Sequence, residues 1–326
     1  MSPISFDLDV DVEYGTVVEV APGLRRVVAQ NPNRFTFKGT GTYLIGERDL
    51  AVVDPGPIID DHFDALMAAI GDATVSHILI THTHRDHSPL TPRLKDATGA
   101  VTYGYGPHGD VPPSDPDDQI DFGVVAEEED LSDTPEDKTQ SEHADGGYDA
   151  DFVPDVAIRH GDVLVGDGWT IDCVHTPGHT SNHMCFGWRE AAALFSGDHV
   201  MGWSTSVISP PDGDMATYMA SLQLLLDRPD EVYWPTHGNP IRDPHAHVRA
   251  FIEHREGRER AIVGHITDGL TDIESMVRTM YTDVHPKLYN AAARSVHAHL
   301  VHLVERGEVA ASTPACRLTD TYTIPS

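Results

Sequence analysis

The chain of 326 residues has few cysteines, few positive charges and no long hydrophobic run. Its three cysteines are far apart, which excludes the paired spacing of a disulfide framework or a zinc knuckle: Cys173, Cys185 and Cys316. No stretch approaches the roughly 18 uninterrupted apolar residues that a membrane span needs. The first residues are acidic and lack the basic and then apolar pattern of a signal peptide. We therefore expect a cytoplasmic protein with no membrane contact.

Positive charge is scarce, because 22 Lys and Arg stand against 52 Asp and Glu, for a net charge of −30 at pH 7. A surface with this charge evenly spread repels polyanions such as nucleic acids. The charge is uneven, since residues 110–155 hold 17 acidic residues and one lysine. That stretch is rich in Pro, Gly and Ser and poor in aromatics, so it cannot bury enough surface to offset its ordering entropy. We interpret residues 110–155 as a solvated, partly disordered insertion, with a lid over an active site as the alternative.

The rest of the sequence is patterned like a folded α/β protein. Short β-rich runs with turn residues between them predict antiparallel strands from 17 to 53. Strands then alternate with helices at 60–70, 90–97 and 215–226, the last one capped by Asp214.

From residue 242 onward, the periodicity predicts three helices and a hairpin, with a capping box at 271–274 opening the second helix. We predict domains at 1–241 and 242–326. The order of elements in the second domain is that of a winged helix. We favour a helical cap, packed on the first domain or on a second subunit, over DNA binding, because the second helix is not basic.

A dense group of potential metal ligands follows the apolar run at 78–80. It consists of His82, His84, Asp86 and His87. In an extended segment residues two apart point the same way, so His82 and His84 converge, while the two residues beyond the turn reach a second point nearby. This loop predicts a metal site that can serve two ions.

Three more potential ligands follow predicted strands. His179 follows the strand 170–175, Asp198 follows 193–195, and His237 follows 232–234. The seven residues together offer nitrogen and oxygen donors without a thiolate, a set that suits Zn²⁺.

The order of these motifs resembles the metallo-β-lactamase superfamily over residues 16–239, apart from the acidic insertion. The resemblance implies a four-layer αββα sandwich of the α/β class, with two metals at one edge of the sheets. It implies that one zinc ion is held by His82, His84 and His179. A second zinc ion would be held by Asp86, His87 and His237, and Asp198 would bridge both ions.

Other residues are expected to support the ligands. The resemblance implies that Asp54 orients them from behind. His183 and His199 lie within a few residues of a ligand, so we expect a supporting or substrate-contacting role for them. Asn182 and the loop 204–206 are candidates to line the pocket.

The expected chemistry is hydrolysis. Two zinc ions that share a water lower its pKa toward neutrality and generate hydroxide at pH 7. Asp86 and Asp198 are the candidate catalytic carboxylates, and Asp198 or a water relays the proton.

The winged-helix-like tail and the run at 39–44 resemble the β-lactamase-like protein 2 group, which includes an RNA endonuclease and thioesterases that release polyketides from carrier proteins. We expect hydrolysis of a small-molecule ester or thioester. The alternatives are cleavage of single-stranded RNA and a DNA-binding sensor, and the tail is a possible homodimer contact.

Overall fold

The computed structural model describes residues 4–109, 118–122, 147–282 and 284–325. Its larger sheet has seven strands that neighbour one another in chain order. These strands are β1 Val17–Ala21, β2 Leu24–Val28, β3 Gly41–Ile45, β4 Asp49–Val53, β5 Thr74–Leu79, β6 Val101–Gly104 and β7 Val156–Ala157. Strands β1 to β4 are antiparallel, as predicted. Strands β4 to β6 are parallel, because helices α1 Asp60–Ile70 and α2 Thr91–Thr98 connect them.

The smaller sheet has five strands in the order β12-β11-β10-β9-β8. They are β8 Val163–Val165, β9 Thr170–His175, β10 Met184–Trp188, β11 Ala193–Gly197 and β12 Val232–Pro235. Helix α3 Met215–Leu226 connects the parallel pair β11 and β12. Asp214 caps this helix as predicted, since its side chain accepts a 2.7 Å hydrogen bond from the Thr217 amide.

The two sheets pack face to face with helices on both outer sides. Alternation along β3 shows this: Tyr43 and Ile45 lie in the core between the sheets, whereas Leu44 packs with α1. Helix α3 and the first half of helix α4 Pro244–Thr267 cover the outer face of the smaller sheet. The predicted four-layer αββα order is confirmed.

The C-terminal segment contains α4, α5 Ile273–Met280, α6 Tyr289–Glu305 and a hairpin of β13 Ala310–Ala311 with β14 Tyr322–Thr323. This is the predicted order of three helices and a hairpin. Val248 and Phe251 of α4 pack with α3 and the smaller sheet, whereas Ile262 and Ile266 pack with α5 and α6. One helix therefore serves both cores, and the domain boundary at residue 241 stays a prediction.

The predicted capping box at 271–274 is wrong by one residue. Asp272 is the N-cap of α5, because its side chain accepts a 2.8 Å hydrogen bond from the Ser275 amide. The Thr271 carbonyl pairs instead with the amide of Tyr322 in β14. Tertiary pairing with the hairpin thus decides where this helix begins.

The two described parts of the acidic stretch, residues 118–122 and 147–155, are not solvated in the way that we expected. In the first part, Phe122 is buried in the core of the C-terminal segment, and Asp118 accepts hydrogen bonds from the amides of Leu318 and Thr319. In the second part, Phe152 packs in the core beneath α1 and α2. Residues 110–117 and 123–146 of the predicted insertion, including any lid, lie outside the described residues. In the part of the chain that is described, no helix combines the length and apolar character of a membrane span.

Candidate metal centre

All seven predicted ligands lie together where four strands end. The loop after β5 supplies four of them, and the loops after β9, β11 and β12 supply one each. Six are buried and Asp86 is partly buried: His82, His84, His87, His179, Asp198 and His237. Strand ends bring them together although they span residues 82 to 237.

Three imidazoles form the first half of the centre. His84 Nδ1 lies 2.8 Å from His82 Nε2 and 3.1 Å from His179 Nε2. One nitrogen from each ring lies within 4.8 Å of the others, which is a grouping that can hold one metal ion.

Asp86, His87 and His237 form the second half. Asp86 Oδ2 lies 3.3 Å from His87 Nε2 and 3.2 Å from His237 Nε2. Asp198 lies between the two halves, since its Oδ2 is 4.0 Å from His179 Nε2 and its Oδ1 is 3.4 Å from His237 Nε2.

Two buried atoms of this centre have no hydrogen-bond partner. They are His87 Nε2 and Asp198 Oδ1. Buried polar atoms are rarely left unsatisfied, because each costs on the order of 1–3 kcal/mol. Metal ions would coordinate both atoms, and the nitrogen and oxygen donors match Zn²⁺. The residues present therefore fit a metal centre.

Asp54 lies behind the centre and forms hydrogen bonds with the metal loop. Its Oδ2 accepts hydrogen bonds from Thr81 Oγ1 at 2.7 Å and from His87 Nδ1 at 2.9 Å, and its Oδ1 accepts one from the Thr81 amide at 2.8 Å. With Nδ1 donating to Asp54, His87 directs Nε2 toward the other ligands.

The loop 31–40 also supports two ligands, which sequence reasoning missed. Thr40 Oγ1 donates a 2.9 Å hydrogen bond to Asp86 Oδ2, and His237 Nδ1 donates a 3.1 Å hydrogen bond to the Gly39 carbonyl. Gly39 permits this because its φ is +119° and a Cβ would lie 2.2 Å from the Ala29 carbonyl oxygen. The local signal in the sequence is the glycine-containing run at 39–44.

His183 and His199 are completely buried and do not reach the cleft. His183 Nε2 accepts a 3.3 Å hydrogen bond from the Asp198 amide, so this residue positions the loop that carries Asp198. His199 packs against Tyr218 with ring centroids 4.6 Å apart, and neither of its ring nitrogens has a hydrogen-bond partner. Their expected supporting role is visible for His183, whereas a substrate contact is not visible for either residue.

The residues expected to line the pocket lie behind its wall. Asn182 Nδ2 donates to Thr83 Oγ1, and Ser206 Oγ donates to the carbonyl of Asp198. The cleft over the ligands is lined instead by residues that sequence reasoning did not single out: Asn33, Phe35, Thr36, Met201 and Val207.

The end of the acidic stretch contacts the metal loop. The Asp149 amide donates to the Thr83 carbonyl at 2.7 Å, and the Arg85 amide donates to the Gly147 carbonyl at 3.2 Å. Ser88 Oγ adds a 2.8 Å hydrogen bond to Asp149 Oδ2. These bonds brace the loop that carries four of the seven ligands.

Burial and mutual charge set the protonation of the centre in the absence of metal. Burial and the neighbouring imidazoles hold the pKa of His82 well below its usual value. Burial opposes protonation of His237 too, but the carboxylates of Asp198 and Asp86 raise its pKa to about 10. Burial would raise the pKa of Asp198, but His237 and His87 outweigh it and hold that pKa well below the usual range. At neutral pH the metal-free centre therefore pairs charged carboxylates with charged imidazoles.

Comparison with protein families gives two matches along the chain. The model of the metallo-beta-lactamase superfamily matches residues 36–237, and the model of the beta-lactamase associated winged helix domain matches residues 273–313.

Curated relatives extend the likeness over most of the chain. The atrochrysone carboxyl ACP thioesterase of a Cryptosporiopsis species is 28% identical over 82% of this chain and 74% of its own length. The beta-lactamase-like protein 2 homolog of Drosophila melanogaster is 27% identical over 92% of this chain and 94% of its own length.

Solved structures share the fold of both domains. A beta-lactamase domain protein from Burkholderia ambifaria has a TM-score of 0.72 at 20% identity, covering 97% of this chain and 96% of its own. A metallo-beta-lactamase family protein from Thermus thermophilus has a TM-score of 0.67 at 21% identity, covering 94% of this chain and 100% of its own.

Proposed function

Because this chain belongs to the metallo-beta-lactamase superfamily, we propose that it is a hydrolase with two zinc ions that cleaves an ester or thioester of a small molecule. One observation carries the proposal. Seven nitrogen and oxygen donors converge on one cleft, and two of their buried atoms have no hydrogen-bond partner. Such atoms are costly to keep unless something coordinates them.

Each ligand has a role in the proposal. His82, His84 and His179 hold the first ion, Asp86, His87 and His237 hold the second, and Asp198 joins the two. When bound, zinc ions supply a Lewis acid for the carbonyl oxygen and lower the pKa of a water toward 7.

The chain itself supplies orientation and a proton acceptor. No Ser or Cys lines the described cleft, so water rather than a side chain is the nucleophile. The carboxylate of Asp198 lies between the two groups of imidazoles, where it can accept the proton of that water. Asp54 and Thr40 hold His87 and Asp86 in their orientations.

Two observations support a carbonyl substrate over RNA. Several relatives are named carboxyl ACP thioesterases. In addition, no Lys or Arg lines the described cleft, whereas nucleic-acid affinity depends on such residues.

The DNA-binding alternative also lacks support in the C-terminal segment. Helix α5 carries one arginine, Arg278, which pairs with Glu274 at 2.9 Å and donates to the Phe122 carbonyl. Purified protein that retards no DNA at low salt would remove this alternative.

The test is a side-by-side hydrolysis assay of zinc-loaded protein on acyl thioesters, simple esters and single-stranded RNA. We expect turnover of carbonyl substrates, intact RNA, and about two zinc ions per chain by metal analysis. His84→Ala should lose both activity and zinc, and His160→Ala, which changes an exposed histidine outside the cleft, should lose neither. Cleavage of RNA with the carbonyl compounds untouched, or a folded protein that binds no metal, would contradict the proposal.

A further inference from the structure

Among the residues that the structure describes, the wall of the cleft above the ligands contains no charged side chain. We propose that it selects substrates whose acyl group is apolar and uncharged, and that Phe35 is its specificity-determining residue. This inference rests on the proposed hydrolysis of an ester or thioester.

Two loops form the wall. The loop 31–40 contributes Asn33, Phe35 and Thr36, and the loop after Asp198 contributes Met201 and Val207. The remaining lining residues of the described cleft are five of the proposed ligands: His84, Asp86, His179, Asp198 and His237. Every charged group in the described lining thus belongs to the metal centre.

Several polar groups of the wall have hydrogen-bond partners within the protein. Thr36 Oγ1 donates to the Asn31 carbonyl at 2.5 Å, and Asn33 Oδ1 accepts from the amides of Phe35 and Thr36. The Val207 carbonyl accepts a hydrogen bond from His179 Nδ1.

The Met201 carbonyl is occupied as well, since it accepts a hydrogen bond from His247 Nε2 at 3.0 Å. A charged acyl group would lose water on entry and gain no hydrogen bond from these groups, which is costly.

The wall is held at a fixed position relative to the ligands. Phe37 and Trp203 stack with ring centroids 4.8 Å apart and planes at 5°, and they lie two residues beyond Phe35 and Met201. The stack therefore joins the two loops. Phe37 has a φ of 56°, a conformation that costs an L residue energy and persists where the surroundings hold it.

The same loop is also tied to the ligands, through Thr40 to Asp86 and through Gly39 to His237. The residues of the wall are therefore held at a fixed position beside the proposed ligands.

The sharpest test compares butyryl and succinyl thioesters of N-acetylcysteamine. The two acyl groups have the same length of carbon chain, but succinyl ends in a carboxylate where butyryl ends in a methyl group. We expect kcat/KM of the zinc-loaded protein to be about 100-fold higher for butyryl, because the carboxylate would have to lose water beside the apolar side chains of Phe35, Met201 and Val207.

Substitutions then test whether Phe35 causes the preference for the uncharged acyl group. Phe35→Ala should lower kcat/KM for butyryl about tenfold, change it less than twofold for acetyl, and leave the zinc content unchanged. Phe35→Lys should raise the rate for succinyl above that of the unsubstituted protein. Phe63→Ala, which makes the same truncation on helix α1 outside the cleft, should leave all three substrates unchanged.

Equal rates for butyryl and succinyl, or an equal loss for acetyl and butyryl in Phe35→Ala, would overturn the inference while the proposed hydrolysis stands. A binding measurement identifies the opposite case, in which the wall binds acyl chains but the protein is not a hydrolase. Calorimetry that shows octanoate binding lost in Phe35→Ala, in a protein that hydrolyses no ester or thioester, would support the wall and reject the hydrolysis.

Discussion

Two buried groups of histidines and acidic residues stand out in the described part of the chain, and one of them has the character of a ligand site. In the metal centre, donor atoms from four loops converge and two of them have no hydrogen-bond partner. The second group joins α4 to α6. There, Glu259 Oε1 accepts from His302 Nδ1 at 2.7 Å, and Glu259 Oε2 pairs with Arg306 Nη1 at 3.0 Å.

The difference lies in whether the buried polar atoms have hydrogen-bond partners. The two oxygens of Glu259 are satisfied by His302 of α6 and by Arg306 just after that helix, and His299 Nδ1 lies 3.5 Å from the same carboxylate. His299 Nε2 lacks a partner, but no group of three possible metal donors is found around it among the described residues. Burial of histidine and carboxylate therefore does not mark a metal site, whereas convergence of donor atoms that lack hydrogen-bond partners does.

The largest expected effect is on catalysis in the metal centre. Asp198→Asn keeps the shape of the side chain but removes the charge that joins the two halves. We expect kcat/KM to fall at least about 1,000-fold, because the proposed link between the two halves and the proposed proton acceptor are both lost. A thioester assay measures the loss. A fully active Asp198→Asn protein would remove this aspartate from the proposed mechanism.

The group between α4 and α6 should behave in the opposite way. Glu259→Gln breaks a buried pairing with two partners, so we expect a loss of about 2–3 kcal/mol in unfolding free energy with zinc content and activity per folded molecule unchanged. The estimate is reduced because Arg306 is half exposed. Glu256→Gln, an exposed glutamate one turn earlier on α4, is the matched control and should cost less than about 0.5 kcal/mol. Equal losses in the two variants would show that the buried pairing does not contribute.

A smaller effect is expected where the loop 31–40 holds a ligand. Thr40→Val removes the hydrogen bond to Asp86, which should weaken zinc binding about tenfold, as is typical for residues that orient ligands. Thr40→Ser restores the hydroxyl and should restore the affinity. Zinc competition with a chromophoric chelator measures both variants, and an unchanged affinity in Thr40→Val would show that Asp86 is oriented without this bond.

The smallest effect concerns the pH dependence of the α4–α6 group. Burial would raise the pKa of Glu259, but hydrogen bonds from His299 and His302 outweigh it and lower that pKa to about 2. A carboxylate whose pKa is lowered in the folded protein stabilises the fold at pH values above its pKa in the unfolded chain. This contribution is lost as the pH falls toward its pKa in the folded protein.

Between pH 7 and pH 4, the advantage of the unsubstituted protein over Glu259→Gln should therefore shrink by about 0.8 kcal/mol. Urea unfolding of both proteins at the two pH values measures this change. An advantage that grows on acidification would contradict the lowered pKa.

Much of the fold and the metal centre could be predicted because their signals are local. Apolar runs ending in Gly, Pro or His predicted most strands, and the spacing of His82 to His87 predicted the metal loop. The family inferred from the order of the motifs is confirmed by the family models.

The cleft wall could not be predicted, because no local pattern distinguishes Phe35 or Val207 from other apolar residues in loops. Their position depends on how two distant loops meet at the stack of Phe37 and Trp203. The position of residues 147–149 could not be predicted for the same reason. Their composition matches a solvated insertion, but their backbone forms hydrogen bonds with the metal loop.

Helix α4 has a consequence for how such a two-part protein can be shortened or recombined. A domain joined by a flexible linker can be removed at that linker, but here the joint is itself a helix with Val248 in one core and Ile262 in the other. Cutting before α4 removes the part of the outer layer that packs beside α3, and cutting after it leaves Ile262 and Ile266 without α5 and α6. The two parts therefore share one helix, so a chimera that exchanges the C-terminal segment must preserve the contacts of both halves of α4.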